Sequence, residues 1–225
     1  MKFSVVIPAH NEDECIASTV TTLCEKLNSE KFDYEIIVVA DHCTDNTEEV
    51  VAKIANNNKR IILVKNEDKP GFGMAVRRGL DAFTGDAVAI FMADASDSPD
   101  DLVKYFKKIE HGADCVFGSR FIKGGKVVDY PIHKLILNRL GNLIIRLLFR
   151  HGLNDTTNAF KCYRREVIET CRPFLSPHFN LTVELPLKAY IRGYKLEIIP
   201  ISWHNRKTGV SKLKIKEMGS RYFFI

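Results

Sequence analysis

Three short stretches of this chain carry acids in a repeated setting. Glu12 follows Pro8-Ala9-His10-Asn11, and Asp41 stands in Val39-Ala40-Asp41-His42-Cys43-Thr44-Asp45. Asp94 and Asp97 stand in Met92-Ala93-Asp94-Ala95-Ser96-Asp97-Ser98-Pro99. Each stretch comes directly after an apolar, partly β-branched run. A carboxylate placed there is suited to hold Mg²⁺ or Mn²⁺ against a diphosphate, because these ions take hard oxygen ligands and share them with substrate phosphates. Helix capping competes as an explanation for Asp45 and Asp97, which both precede helical patterns. A fourth stretch, Gly71-Phe72-Gly73-Met74-Ala75-Val76-Arg77-Arg78-Gly79, misplaces the third glycine of a dinucleotide fingerprint. It reads as a tight turn into a helix whose N-terminus faces a ligand loop.

The elements that must position these residues alternate regularly. Strand patterns cover 3–9, 34–40, 60–65, 86–92 and 113–118; helical patterns cover 13–27, 45–56, 73–83 and 99–110. Asp45 or Thr44 would cap the second helix, and the fourth opens with Pro99, Asp100 and Asp101, as helix starts favour. Apolar strands alternating with helices imply a parallel sheet covered on both faces, with ligands at the carboxyl ends of the strands. All three acidic stretches fall at such ends.

The second half is built differently. Residues 133–150 form an amphipathic helix whose polar residues Lys134, Asn138, Asn142, Arg146 and Arg150 recur every four positions. Its broad apolar face suits either a core helix or an element resting in a membrane interface. A helix over 181–192 and a strand over 195–201 follow, and the chain ends on Tyr222-Phe223-Phe224-Ile225. With no internal repeat and no low-complexity linker, 1–225 reads as one domain.

Composition excludes several classes. A hydrophobic content of 45% with 14 Phe is too rich for a disordered chain. Six cysteines form no CxxC pair, and the opening residues lack a signal peptide's cleavage site, so free thiols and a cytoplasmic location are expected. No apolar stretch approaches the ~18–20 residues that span a bilayer. The net charge of +5 hides an asymmetry: residues 1–119 carry 13 basic and 21 acidic side chains, residues 120–225 carry 20 and 7. The basic residues are interrupted by apolar runs and match no nucleic-acid module, so a nucleic-acid partner is not expected.

In order, the motifs resemble those of family 2 glycosyltransferases of the polyprenyl-phosphate group, which includes dolichol-phosphate mannose synthases. The resemblance runs through VVIPAHNE, VVADHCTDNT, KPGFGMAVRRGL, ADASDSPDD, FGSRFIKGG, LNRLGN, DTTNAFKCYRREV and the closing NLTVELPLKAYIRGYKLEIIPISWHNRKTGVSKLKI. It covers nearly the whole chain. It implies a glycosyltransferase A fold, a mostly parallel Rossmann-like sheet flanked by helices, with a C-terminal acceptor-binding region. It implies a nucleotide-sugar half, 1–119, with Pro8, His10, Glu12, Asp41, Ala93 and Asp94 at the nucleotide. It implies an acceptor and membrane-facing half, 120–225, with Arg120, Arg139, Arg206, Ser211 and Lys212 at the acceptor phosphate. Asp94 falls on the metal-binding Asp of the family's D-x-D, so Mg²⁺ or Mn²⁺ is the implied cofactor.

Two departures stand out. The first Asp of D-x-D is Met92, and the first Asp of the second-strand pair is Ala40. A thioether does not ligate Mg²⁺ usefully. Asp94 is therefore expected to bind the metal with help from Ser96 or Asp97; the competing expectation is an impaired enzyme that still binds nucleotide.

The implied reaction is inverting transfer of a hexose from a nucleotide diphosphate sugar, GDP-mannose by resemblance alone, to a polyprenyl phosphate. It would run peripherally on the cytoplasmic face of a membrane, with Asp94, Asp97, Arg120, Arg206 and Lys212 in the catalytic set. A phosphate monoester has a second pKa of about 6, so the acceptor carries its own nucleophilic charge and needs no general base. Transfer to a glycan or small-molecule hydroxyl is the nearest alternative and would need one. Glu184 is the candidate base there, or else a structural helix residue paired with a nearby cation.

Overall fold

The computed structural model describes residues 1–205. Its strands are β1 (Lys2–Ala9), β2 (Asp33–Ala40), β3 (Ile61–Lys65), β4 (Ala87–Ile90), β5 (Cys115–Ser119), β6 (Lys126–Val128), β7 (Lys161–Arg164), β8 (Leu196–Pro200) and β9 (Ser202–His204). Its helices are α1 (Ile16–Ser29), α2 (Thr47–Asn57), α3 (Phe72–Ala82), α4 (Pro99–Glu110), α5 (Ile132–Phe149), α6 (Arg165–Thr170) and α7 (Leu181–Ile191).

The main sheet has the order β3-β2-β1-β4-β7-β5-β8. β1 pairs in parallel with β2, from Lys2↔Asp33 to Ala9↔Ala40, and with β4. The chain steps outward from β1 to β3 and then returns to β4 beside β1. That reversal opens a crevice at the carboxyl edge, where ligands of such sheets sit.

Alternation along the strands feeds two cores. Val5, Ile7, Ile36 and Val38 pack with Ile16, Val20, Leu23, Val51, Leu102 and Phe106, from α1, α2 and α4. Val6, Ile37 and Val39 pack with Val76, Leu80, Val167, Leu181 and Leu185, from α3, α6 and α7. This burial on both faces is why the strands read as continuous apolar runs. On the first side Phe3 stacks on Phe106 at 4.0 Å between centroids.

The structure departs from the sequence expectations at three places. The antiparallel strand β7 lies between β4 and β5. The sheet is therefore mixed at that point. The fourth strand stops at Ile90, two residues short of its expected end, because the Met92 amide turns onto the Asp97 carboxylate. Finally, α5 turns the middle of its polar stripe, Asn138 and Asn142, inward, while Arg146 and Arg150 are exposed. Asn142, 2% exposed, and Asn138 hydrogen-bond Thr157, while Ile132, Ile136, Leu137, Leu140, Leu143, Leu147 and Leu148 are between 48% and 72% exposed. The core-helix reading of its apolar face is thereby overturned. Even so, no helix among the described residues is long and apolar enough to cross a membrane. All six cysteines are free thiols.

Candidate active site

Three strand-end loops at the crevice contain a non-glycine residue in the left-handed region: Asn11 (φ 51°), His42 (φ 51°) and Ala95 (φ 56°). Such conformations cost energy and persist where surrounding contacts impose them. At Asn11 those contacts are visible, since its side-chain oxygen accepts the Thr44 N–H at 2.7 Å and its Nδ2 donates to the Thr44 hydroxyl at 3.0 Å. Next to it, the Thr47 hydroxyl accepts the Glu12 N–H. His10 Nδ1 lies 2.6 Å from the Asp41 carbonyl. A carbonyl only accepts, so that nitrogen holds the proton.

Asp41 is buried and organises loops. Its Oδ2 accepts the Gly71 N–H at 2.9 Å, and its Oδ1 accepts Asn66 Nδ2 at 2.7 Å and faces His42 Nδ1 at 3.1 Å. The loops after β2 and β3 thus share one carboxylate. The cap position of α2 is Asn46 and not Asp45 or Thr44; from one residue earlier, Asp45 Oδ1 accepts both the N–H and the hydroxyl of Thr47, the first residue of α2.

The N-terminus of α3 does not face a ligand loop. Met74 N–H donates to the Pro177 carbonyl at 3.2 Å, and Phe72 stacks on Phe179 at 4.0 Å. A Cβ on Gly73 would meet the Ser176 carbonyl oxygen at 2.5 Å, so only glycine lets the 176–178 backbone lie this close. That segment stops the helix end and so replaces the expected ligand.

The loop after β4 is held from several sides. Asp94 Oδ1 accepts the Ser96 N–H at 3.1 Å. Ser96 is buried, and its carbonyl accepts the His204 N–H from β9. Asp97 was expected beside the metal, but it is only 4% exposed and its Oδ2 accepts the Met92 N–H at 3.0 Å. Burial pushes its pKa up to about 7, against the pull of the Met92 amide. An inward carboxylate already engaged by the loop's own amide reads as the brace of this loop. Among the described residues no group of three His, Cys, Asp or Glu side chains is placed to hold a metal. One carboxylate still fits Mg²⁺, which keeps several waters and is commonly held by one or two carboxylates plus substrate phosphates.

Arg120 directly follows β5. Its Nε and Nη2 grip both oxygens of Asp155 at 2.8 and 2.6 Å, and its N–H adds a bond at 3.0 Å. Both partners are buried, and the carboxylate raises the already high pKa of Arg120 despite burial. The fork expected on an acceptor phosphate therefore serves Asp155. Arg139 from α5 lies 4.6 Å from the centroid of the Phe121 ring, and Arg120 lies 5.1 Å from it. One aromatic ring thus gathers the two described acceptor candidates. Arg206, Ser211 and Lys212 lie outside the described residues.

Glu184 is structural. It is buried and accepts the N–H groups of Leu175 and Ser176 and the Lys188 ammonium. Burial alone would raise its pKa, but these bonds outweigh it and the net shift is downward. A carboxylate so engaged is unsuited to taking a proton from a hydroxyl.

Asp155 and Lys161 gain no separate role from the sequence, where both stand inside DTTNAFKCYRREV. Lys161 is 1% exposed and donates to the carbonyls of Thr156, Asn158 and Thr182. Burial lowers its pKa to about 7, although the Asp155 charge opposes this. The available signal was a single charge inside the apolar run Ala159-Phe160-Lys161-Cys162-Tyr163, which must be satisfied if the run is buried.

Comparison with known proteins agrees with this architecture. The family model described as "Glycosyl transferase family 2" matches residues 4–172. A dolichol-phosphate mannosyltransferase of Pyrococcus furiosus is 29% identical over 219 residues, covering 96% of this chain. The match spans only 60% of that relative's length. A polyprenol monophosphomannose synthase of Mycolicibacterium smegmatis is 30% identical over 218 residues, covering 93% of this chain and 80% of the relative. Among solved structures, glucosyl-3-phosphoglycerate synthase from Mycobacterium tuberculosis, in complex with Mn²⁺ and UDP-glucose, superposes with a TM-score of 0.74 at 21% identity. That match covers 99% of this chain and 75% of that one.

Proposed function

The chain belongs to glycosyl transferase family 2, and from that premise we propose that it transfers a hexose from a nucleotide diphosphate sugar to a polyprenyl phosphate at a membrane surface. The observation that carries the acceptor side is the pairing of Arg139 and Arg120 around Phe121 with the outward apolar face of α5. The exposed guanidinium of Arg139 suits a phosphate, and an exposed leucine-rich helix face suits the lipid that bears it. The names of the two relatives favour mannose as the sugar, with guanine as the base by family resemblance.

In this reading a dianionic acceptor oxygen attacks the anomeric carbon. The bond from that carbon to the diphosphate breaks, and the nucleoside diphosphate leaves with the electron pair. Attack opposite the leaving group inverts the centre. Mg²⁺ or Mn²⁺, when bound, would neutralise charge developing on the leaving diphosphate. Asp94 is the residue to hold it; Asp41 orders the loops around the base, and Asp97 braces the Asp94 turn. Arg206, Ser211 and Lys212 are proposed to complete the acceptor site from the closing segment.

A panel of nucleotide sugars, each with and without a short polyprenyl phosphate, tests this. Turnover of one mannose donor that requires the lipid phosphate is the expected result. Turnover onto a glycan or small hydroxyl alone would refute it. Met92 in the D-x-D position favours a second reading, a nucleotide-binding subunit without turnover. Tight nucleotide binding by calorimetry with no product from any pair would select that one.

A further inference from the structure

Lys161, on β7, is not used by any step of the proposed reaction. Its ammonium donates to the carbonyls of Thr156 at 2.8 Å, Thr182 at 3.2 Å, and Asn158. Three carbonyls thus surround its nitrogen, as many as an ammonium has protons. A buried charge satisfied in this way holds its acceptors in fixed positions, because leaving them without a donor is costly.

Those acceptors lie at a junction. The 154–158 segment meets the end of β5 three times: Asp155 grips Arg120, Asn154 accepts the Ser119 hydroxyl at 2.6 Å, and Asn158 donates to the Gly118 carbonyl at 3.2 Å. The same segment meets α5 through Thr157. Its hydroxyl accepts from Asn138 and Asn142 at 3.1 and 2.9 Å, and its N–H donates to Asn142 at 3.1 Å. Thr182 belongs to the first turn of α7, so Lys161 ties the segment to that helix. Among the described residues, α5 also packs through Arg139 on Phe121 and through a small apolar cluster, Ile145 with Val183 and Leu187.

We propose that Lys161 is a positioning residue: acting through the 154–158 segment, it sets where the Arg120 guanidinium and α5 stand, and with them the acceptor side of the site. It touches neither donor nor acceptor. The functional half of this inference rests on the acceptor reading above. A lysine that merely stabilised the core would weaken donor and acceptor use together.

The test uses the full chain with Lys161→Met, which keeps the length of the side chain and removes the donors. Nucleotide affinity is measured by calorimetry with GDP and UDP plus Mg²⁺. Amide exchange is followed by NMR, and kcat and KM are measured for a short polyprenyl phosphate. Losing three hydrogen bonds at one junction predicts that protection of the Arg120 and Thr157 amides falls at least ~10-fold, that acceptor KM rises at least ~10-fold, and that nucleotide affinity stays within ~2-fold. Exchange in β1 and β2 stays unchanged, and Lys161→Arg, which keeps cationic donors, recovers most of the KM. Joint loss of nucleotide affinity and acceptor use, or full protection retained at Arg120 and Thr157, overturns the proposal. Should Lys161→Met fail to fold, Thr157→Val must show the same split at about 3-fold, and its absence overturns the proposal equally. If wild-type protein transfers to no polyprenyl phosphate, the acceptor reading fails, and the exchange and calorimetry alone then decide the role of Lys161.

Discussion

Replacing Leu143 and Leu147 by serine should release the protein from lipid vesicles without unfolding it. The two residues lie one turn apart on the outward face of α5 and are 48% and 66% exposed. Fully burying a leucine contributes ~1.5–3 kcal/mol, so moving these exposed fractions out of water is worth about 2–3 kcal/mol for the pair. At 1.4 kcal/mol per tenfold, vesicle partitioning should fall ~30- to ~150-fold. By the same scale the shielded fractions contribute about 1–3 kcal/mol to folding, so the urea midpoint should fall modestly while the protein stays folded. Flotation with vesicles of mixed neutral and anionic lipid reads the first effect, and a urea melt reads the second. Unchanged flotation would refute the membrane role of α5. A large loss of stability would show instead that this face is covered by protein.

Three further outcomes follow from the geometry. Asp155→Ala should cost ~3–5 kcal/mol in a urea melt by leaving Arg120 buried without its partner, while the double change Arg120→Met with Asp155→Leu should cost less. Ala95→Gly should stabilise the protein by roughly 0.5–1 kcal/mol, because a side chain at φ 56° is strained and glycine is not; an unchanged midpoint would contradict a strained turn. Glu35 is hydrogen-bonded by Lys2, Ser4 and Thr84, and although burial opposes ionisation these bonds hold its pKa at about 2. Its pKa is lower in the folded state than in the unfolded one, so its stabilisation is present above about pH 4.5 and lost as the pH falls towards 2. Glu35→Gln should therefore be less stable than wild type at pH 6, and the gap should close in that window.

How much was legible from the sequence depended on which residues had only one physical option. Val5–Ile7 and Ile36–Val39 are apolar and β-branched at every position, which suits a strand buried on both faces, so the sheet and its ligand edge were readable. β7 was hidden because Lys161, Tyr163 and Arg164 interrupt its four residues, and its place in the sheet comes from partners far along the chain. Asp94 and Asp97 look alike in the sequence. What separates them is the Met92 amide, which donates to Asp97 as the chain leaves the fourth strand after Ile90. For α5 the polar stripe was visible at every fourth residue. Which way it faced depended on Thr157, fifteen positions beyond Asn142, and no helical pattern records that contact. Arg120 read as a free phosphate fork for the same reason, since its partner Asp155 is 35 residues away.

The most direct test of the central claim is ³¹P NMR of a short polyprenyl phosphate incubated with the protein and a mannose nucleotide donor, with Mg²⁺ and then with EDTA. The account predicts that the monoester signal converts to a phosphodiester, with one nucleoside diphosphate released per product. Conversion should stop on chelation, and Asp94→Asn should slow it at least ~100-fold. A monoester signal that persists while donor is consumed, or conversion that proceeds equally well in EDTA, would contradict it.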